Sequence, residues 1–352
     1  MEAVTETKSL IGVTQDEFAA WCDEVGQPAY RAKQVFTWIH ERGVRSFDEM
    51  TNLPKEWRAQ LSEQWTIYAS EEVGRQRSTD GTTKILLRWP DGNTSECVLI
   101  PDDKRQTACI SSQVGCPVGC TFCASGLDGL KRNLTAGEIV EQAMRVADAV
   151  AKPLRLSNVV FMGLGEPLAN YGNVMQAIRI LNAPWGVNIG ARKITVSTVG
   201  LPTQIRKLAK EDLQLNLAIS LHAPNDELRK EIIPWANRIP IDELVDAGRY
   251  YFDTTGREIT LEYILLGGVN DRFDQAKELV RICRKMRCNV NLIRYNPVAG
   301  LPFERPASPD AFHFAEFLRS RGVNAHMRKS RGMDIDAACG QLRRRHEGTS
   351  TS

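Results

Sequence analysis

Between about residues 105 and 300 the sequence switches repeatedly between two periodicities, and this alternation leaves few architectures open to it. Short apolar or β-branched runs fall at 107–111, 156–162, 193–198, 213–221, 258–265 and 288–294. Stretches with helical spacing of apolar residues fit between them, near 135–150, 172–183, 202–210, 240–253 and 272–286. The first helix opens with the capping pattern Thr135-Ala136-Gly137-Glu138. Six such strands with five helices between them predict an α/β fold, a parallel sheet covered by helices that is either open or curled into a partial barrel.

Parallel α/β folds bind ligands beyond the carboxyl ends of their strands, where separate loops converge. The unusual residues of this chain fall at those ends. A cysteine cluster follows the first strand, Gly163-Leu164-Gly165-Glu166-Pro167 the second and Ser197 the third. Ser220-Leu221-His222 follows the fourth, and Asn296-Pro297 the sixth. These segments should meet in one cavity.

Cys116, Cys120 and Cys123 follow a C-x3-C-x2-C spacing, with Cys109 shortly before them. Three thiolates hold a soft metal centre and leave one position open, whereas a structural zinc normally takes its fourth ligand from the protein. Inert buried thiols, or a zinc knuckle completed by Cys109 or a distant residue, are the bland alternatives. The nine cysteines are odd in number and unevenly spaced, which suits a reducing compartment better than a disulfide framework. Gly115 and Gly119 permit the tight backbone that wraps a cluster, and Phe122 could keep water from it. A cubane held by three cysteines exposes one iron, which the amino and carboxylate groups of S-adenosylmethionine can chelate. Gly163 and Gly165 would then offer backbone amides, and Glu166 a carboxylate, to a charged α-amino group; the competing account is a simple turn. Ser197, Ser220 and His222 suit holding ribose, carboxylate or adenine, or else cap helices. Asn296 could read an adenine edge or simply make a turn.

Before this core, residues 15–24, 28–42 and about 54–64 read as helices of a small module, residues 1–70. Its Arg31, Lys33, Arg42, Arg45, Lys55 and Arg58 could meet a phosphate backbone. Strands at 82–89 and 94–100, joined by Pro90-Asp91-Gly92-Asn93, suggest a hairpin in a linker region, 71–104. Glu96 lies in the second strand, where local pattern reads it as facing solvent. Beyond a core of 105–300, the extension 301–352 carries a helix, a short strand at 323–327 and the segment RKSRGMDIDAACGQL. Cys339 stands there among Ala337, Ala338 and Gly340, small neighbours that leave a thiol room to react; an inert buried cysteine is the alternative. With 45 basic against 43 acidic residues, net charge argues for no polyanionic partner. The local signal is Arg328, Lys329 and Arg331, with Arg343, Arg344 and Arg345 after them. The start lacks a basic region leading into an apolar run, and no stretch of about 18 apolar residues occurs. The expected setting is therefore cytoplasmic, away from membranes.

Taken together, CISSQVGCPVGCTFCASG, GLGEPLANY, STVGL, AISLHAPND, NLIRYNP and RGMDIDAACGQL resemble the radical S-adenosylmethionine enzymes that methylate C2 of adenosine in 23S ribosomal RNA, many of which also act on transfer RNA. The resemblance runs from roughly residue 13 to 342. It implies a partial (β/α)6 TIM-type barrel with an amino-terminal helical RNA-binding domain. It also implies a [4Fe-4S] cluster on Cys116, Cys120 and Cys123. Cofactor contacts would come from Gly165, Glu166, Ser197, Ser220, His222 and Asn296, with Leu221 supplying backbone. Cys339 resembles the family's methyl-carrying cysteine, Cys109 its partner thiol, and Glu96 its proton acceptor, which replaces the solvent-facing reading.

The implied reaction uses two S-adenosylmethionine molecules per turnover. One methylates Cys339; the second yields a radical that turns the methyl into a methylene radical, which adds to C2 and links RNA to protein. The adduct then loses an electron and the C2 proton, which gives a base such as Glu96 or Cys109 a task, and Cys109 releases the product by forming a disulfide with Cys339. A low-potential electron donor such as flavodoxin or ferredoxin, and a monomeric enzyme, complete the expectation. Met333 departs from the family, which commonly has a second acidic residue there. A sister group that methylates C8 shares the cysteines, so these residues alone leave the regiochemistry open. A zinc-containing RNA-binding protein is the reading of a different class.

Overall fold

The computed structural model describes residues 7–342, so Arg343, Arg344 and Arg345 lie outside the described residues. The amino-terminal module holds α1 (Gln15–Glu24), α2 (Tyr30–Phe36) and α3 (Lys55–Gln64). Helix α1 starts where Thr14 and Glu17 satisfy each other's backbone N–H groups, at 3.2 and 2.6 Å. Phe18, Phe36, Trp57, Leu61 and Trp65 form the module's apolar centre.

The module seats on the rest of the chain through aromatic packing. The Phe36 and His40 rings lie 5.1 and 6.4 Å from the Trp185 ring. Both His40 nitrogens are buried without a hydrogen-bond partner. Burial, helped by Arg45, pushes the His40 pKa down to about 4. The unfolded chain therefore takes up this proton first, and the stability tied to neutral His40 is complete above pH 6.5 and is lost as pH falls toward 4. Lowering pH from 7 to 5 should cost about 1–2 kcal/mol through this residue. His40→Phe should flatten that loss in urea unfolding followed by tryptophan fluorescence; an unchanged pH dependence would exclude His40 as its source.

Ten strands then form one sheet whose spatial order follows the sequence. Three antiparallel strands, β1 (Glu71–Arg77), β2 (Thr83–Arg88) and β3 (Thr94–Asp102), lead to β4 (Arg105–Cys109). The parallel part continues through α4 (Ala136–Asp148), β5 (Asn158–Phe161), α5 (Tyr171–Asn182), β6 (Ile194–Thr198), α6 (Pro202–Leu208) and β7 (Asn216–Ser220). It ends with α7 (Asp226–Ile232), α8 (Ile241–Thr255), β8 (Ile259–Leu265), α9 (Phe273–Cys283), β9 (Cys288–Arg294), α10 (Ser308–Ser320) and β10 (Ala325–Arg328). Strands β4 to β10 are all parallel. Residues from β3 through β10 line one concavity, so the sheet is curled into a partial barrel.

Two expectations change. The region 71–104 is no separate linker: its hairpin strands gain a third, β1, and all three are hydrogen bonded into the barrel sheet. The carboxyl-terminal extension likewise supplies β10 as a seventh parallel strand beside β9. Short strands whose pairing partners are remote carry little local signal, and the sheet alone decides their membership. Helix α7 was also not anticipated, because Asp226–Ile232 is seven mostly charged residues whose one apolar pair, Leu228 and Ile232, is too short a pattern to mark a helix.

Candidate active site

The inner face is built by strand alternation, since every second residue points the same way. Just past β4, Gln113–Gly115 pairs with Leu130–Asn133, and this ribbon closes the cysteine loop at its base. Gly115 has φ +77°, and a Cβ there would lie 1.9 Å from the Gly129 carbonyl oxygen, so only glycine allows the ribbon to close. The loop is then tied at both sides. Thr121 N donates to Ile232 O at 3.0 Å, Ala124 N to Gly340 O at 2.8 Å, and Ser125 Oγ to Leu342 O at 2.9 Å. The last two bonds bring the carboxyl-terminal segment onto the cysteine loop.

The predicted convergence is present for the loops after β4, β5, β6 and β7, whereas Asn296 lines an adjoining cavity. A cavity of about 160 Å³ is lined by Cys116, Cys120 and Cys123 together with Gly163, Gly165, Glu166, Ser197, Ser220, His222 and Cys339. An adjoining cavity of about 90 Å³ shares Cys123, Met162, Gly163 and Cys339 with it and adds Cys109, Asn296 and Arg328. Cys339 thus faces both cavities, and Cys109 faces the second. Both are free thiols.

The wall of the first cavity is fixed by Glu166. Its carboxylate accepts from Leu168 N at 2.9 Å and from Val199 N at 2.7 Å, which joins the loops after β5 and β6. Burial raises its pKa to about 7, against the lowering effect of hydrogen bonds from Val199, Thr198 and Leu168. Gly165 before it has φ +102°, and a Cβ would sit 2.6 Å from Gln113 Cβ. Gly165→Ala should therefore cost about 1–3 kcal/mol and weaken S-adenosylmethionine binding. Thermal unfolding and equilibrium dialysis check this; unchanged values for both would show that the turn tolerates the side chain.

His222 holds a positive φ of 58°. Its Nδ1 accepts from Ile264 N at 3.1 Å, and burial with Arg229 nearby pushes its pKa down to about 3. The ring is consequently neutral, with its proton on Nε2. It packs edge-on against Phe122 of the cysteine loop, 5.1 Å between ring centres.

Three expected contacts look different in three dimensions. Leu221 is buried behind the wall, with its amide donating to Ile219 O and Glu262 O and its carbonyl accepting from Arg229 Nε. Asn296 braces the Cys339 loop: its Nδ2 donates to Cys339 O at 3.3 Å and its Oδ1 accepts from Arg305 at 3.2 Å. Glu96 is buried in β3 and lies 3.3 Å from Lys84 Nζ, with side chains 3% and 6% exposed, so the local solvent-facing reading does not hold. It is two residues along the strand from Val98, which packs with Cys109 and Ala337. Its backbone carbonyl accepts from Ser111 Oγ at 2.7 Å, and the same hydroxyl accepts from Leu164 N at 2.9 Å.

Sequence reasoning also missed residues. Arg229 of α7 is fully buried and donates to the carbonyls of Leu221, Ile239 and Val199, pinning the loops after β6 and β7. Nothing local marks it, because an arginine in a charged helix reads as surface. Arg328 was read as a phosphate contact, yet its guanidinium turns inward to Glu262 at 3.6 Å and to the Met162 sulfur at 3.8 Å. Burial works against its charge, but Cys339, Glu262 and Cys109 raise its pKa. Glu262, an acid inside the apolar run Ile259–Leu265, was the one visible clue to this group.

The donors fit an iron–sulfur cluster. Burial raises the pKa of all three thiols, that of Cys116 to about 12. Buried thiolates need a positive partner, which a cationic iron–sulfur core provides. The thiols stand around a cavity and do not close on one point: among the described residues no group of three His, Cys, Asp or Glu is arranged for a single metal ion.

Comparison with known proteins gives the family. The ribosomal RNA large subunit methyltransferase N-terminal domain profile matches residues 8–67, and the radical SAM superfamily profile matches residues 110–290. A Rhodopirellula baltica protein named "Probable dual-specificity RNA methyltransferase RlmN" is 48% identical over 335 residues, covering 95% of this chain and 90% of that protein. A Staphylococcus carnosus protein of the same name is 45% identical over 347 residues, covering 98% and 95%. The crystal structure of a radical SAM methyltransferase from Sphaerobacter thermophilus superposes with a TM-score of 0.94 at 46% identity, covering 96% of this chain and 99% of that one. With matches this long, the chain belongs to the RlmN family of radical S-adenosylmethionine methyltransferases, enzymes that use a [4Fe-4S] cluster and S-adenosylmethionine.

Proposed function

We propose that this enzyme methylates C2 of an adenosine in 23S ribosomal RNA and also modifies transfer RNA, with Cys339 carrying the methyl group. The observation that carries the reading is that Cys339 opens onto both cavities, with the three cluster thiols in one and Cys109 in the other. When bound, the cluster and S-adenosylmethionine supply a methyl group and a reductively generated radical. Cys116, Cys120 and Cys123 hold the cluster. Gly165, Glu166, Ser197, Ser220 and His222 hold the cofactor, the last as an Nε2–H donor. Leu221 and Asn296 act one step back, Leu221 by fixing the strand end and Asn296 by fixing the Cys339 loop.

C2 of adenine lies between two ring nitrogens and is electron-poor, so polar transfer of a methyl cation to it is unfavourable, and a radical route suits it. Burial raises the pKa of the Cys339 thiol, while Arg328 lowers it. Arg328 thus favours the thiolate that must accept a methyl group. Glu96, on the strand that also packs Cys109, takes the C2 proton before product release, and the single electron that must leave the adduct with it passes to the oxidised cluster.

RNA is gripped by the amino-terminal module and by Lys329 and Arg331, which fix position while the target base leaves its stack. A low-potential flavodoxin or ferredoxin is the electron donor this chemistry requires. Among the described residues no helix is long and apolar enough to cross a membrane, and an enzyme acting on ribosomal RNA works in the cytoplasm.

Anaerobic incubation with ribosomal RNA or transfer RNA, reductant and labelled S-adenosylmethionine, followed by nucleoside mass spectrometry, tests the reading. 2-Methyladenosine is expected from both substrates. 8-Methyladenosine would assign the enzyme to the sister chemistry, and unmodified RNA would overturn the proposal.

A further inference from the structure

Glu262 has no task in the reaction as described so far. It shares the inner face of β8 with Thr260 and Ile264. Ile264 lines the upper cavity, Thr260 lines a wide polar bowl of about 1170 Å³ at the opposite ends of the strands, and Glu262 lines both. It therefore stands at the waist of the barrel. The residue is 3% exposed. Its Oε1 accepts from Asn291 Nδ2 at 3.0 Å and lies 3.6 Å from Arg328 Nη1. Its Oε2 is buried with no hydrogen-bond partner. Such an oxygen is costly to leave bare, so a donor brought by the bound substrate is the natural partner.

The surroundings indicate which donor. Glu262 lines the same cavity as Cys339, and Arg328 beside it lines the cavity shared by Cys109 and Cys339, so the carboxylate is near the methyl carrier. The bowl below it carries Arg105, Arg192, Arg257, Lys329 and Arg331 against Asp102, which pairs with Arg105, and Glu258, a basic excess that suits a phosphate backbone approaching from that end. A base turned out of its stack would reach the waist from there. Adenine presents one exocyclic hydrogen-bond donor, the amino group on C6, and across N1 from it lies C2.

We propose that Glu262 Oε2 accepts a hydrogen bond from the exocyclic amino group of the target adenine and so selects adenine as the base to be methylated. This rests on the reading of the enzyme as an RNA adenosine methyltransferase. Guanine would set its O6 acceptor against the carboxylate and be rejected by repulsion.

Glutamine at this position makes a sharp test. Asn291 and Arg328 are donors that hold an oxygen at the Oε1 position, so the glutamine amide nitrogen falls where Oε2 stood and can no longer accept. The reconstituted holoenzyme is given two RNA oligonucleotides whose target nucleoside is either adenosine or purine riboside, which lacks the amino group. The native enzyme should favour adenosine in kcat/KM by about 10- to 100-fold. Glu262→Gln should reduce that ratio to within about threefold, and because each enzyme is compared with itself, general damage cancels. Competition binding of the same two oligonucleotides gives the ratio even where turnover by the variant is too slow to measure. Equal use of both RNAs by the native enzyme, or an undiminished ratio in the variant, would overturn the assignment. A raised KM for S-adenosylmethionine with the ratio intact would overturn it too, giving the carboxylate to the cofactor instead. Native enzyme that modifies neither RNA would instead refute the underlying adenosine methyltransferase reading, and this assignment with it.

Discussion

Cys339→Ala is expected to leave RNA unmodified, a loss of more than about 1,000-fold, because no other group can take the place of a covalent carrier. The variant should still bind its cluster, since Cys116, Cys120 and Cys123 are untouched and Cys339 reaches the cysteine loop through its neighbours' backbone. Gly340 O and Leu342 O make those bonds, and alanine preserves both. Visible absorbance after anaerobic reconstitution should match the native protein. Intact-protein mass spectrometry should find a methyl group on the native enzyme and none on the variant. Normal RNA methylation by Cys339→Ala would remove this residue from the mechanism altogether.

Cys109→Ala should fail at the opposite end of the reaction. Once the carrier carbon is bonded to C2, release needs a second sulfur. The Cys109 thiolate attacks Cys339 Sγ, an S–S bond forms, the C–S bond breaks, and its electron pair goes to the carbon, which takes a proton to become methyl. Without Cys109 the RNA should remain attached to the protein, about one RNA per enzyme, with turnover close to zero. Burial, with Cys339 adding to it, raises the Cys109 pKa to about 12, while Arg328 opposes the shift. The thiol therefore needs both that cation and a base before it attacks. Denaturing gels and mass spectrometry of digested adduct read the outcome. Free methylated RNA at the native rate, with no adduct, would assign release to another group.

Both variants probe an arrangement that local sequence only partly announces. The three-cysteine spacing, the glycine loop before Glu166 and the polar residues at strand ends were legible, because strand ends in a parallel sheet must point to one side. Six of the parallel strands were legible from their β-branched runs for the same reason. The seventh, Ala325–Arg328, and the antiparallel Glu71–Arg77 were not placed in the sheet, since short segments join it only through partners remote in sequence. Arg328 shows the difference most directly. Beside Lys329 and Arg331 it reads as surface charge, yet pairing of β10 with β9 sets its register and turns its head toward Glu262.

The repeating strand and helix units, the cysteine loop and the set of thiols can be read along the chain alone, because periodicity, turns and cysteine spacing are properties of neighbouring residues. Long-range packing makes Ser125 and Leu342, 217 residues apart, bond to each other and so sets Cys339 beside the cysteine loop. It also makes Arg229 a buried clamp and leaves one oxygen of Glu262 facing the waist without a partner. Those outcomes follow from curling the sheet and closing its ends, which fix side-chain surroundings across distances that no local pattern spans.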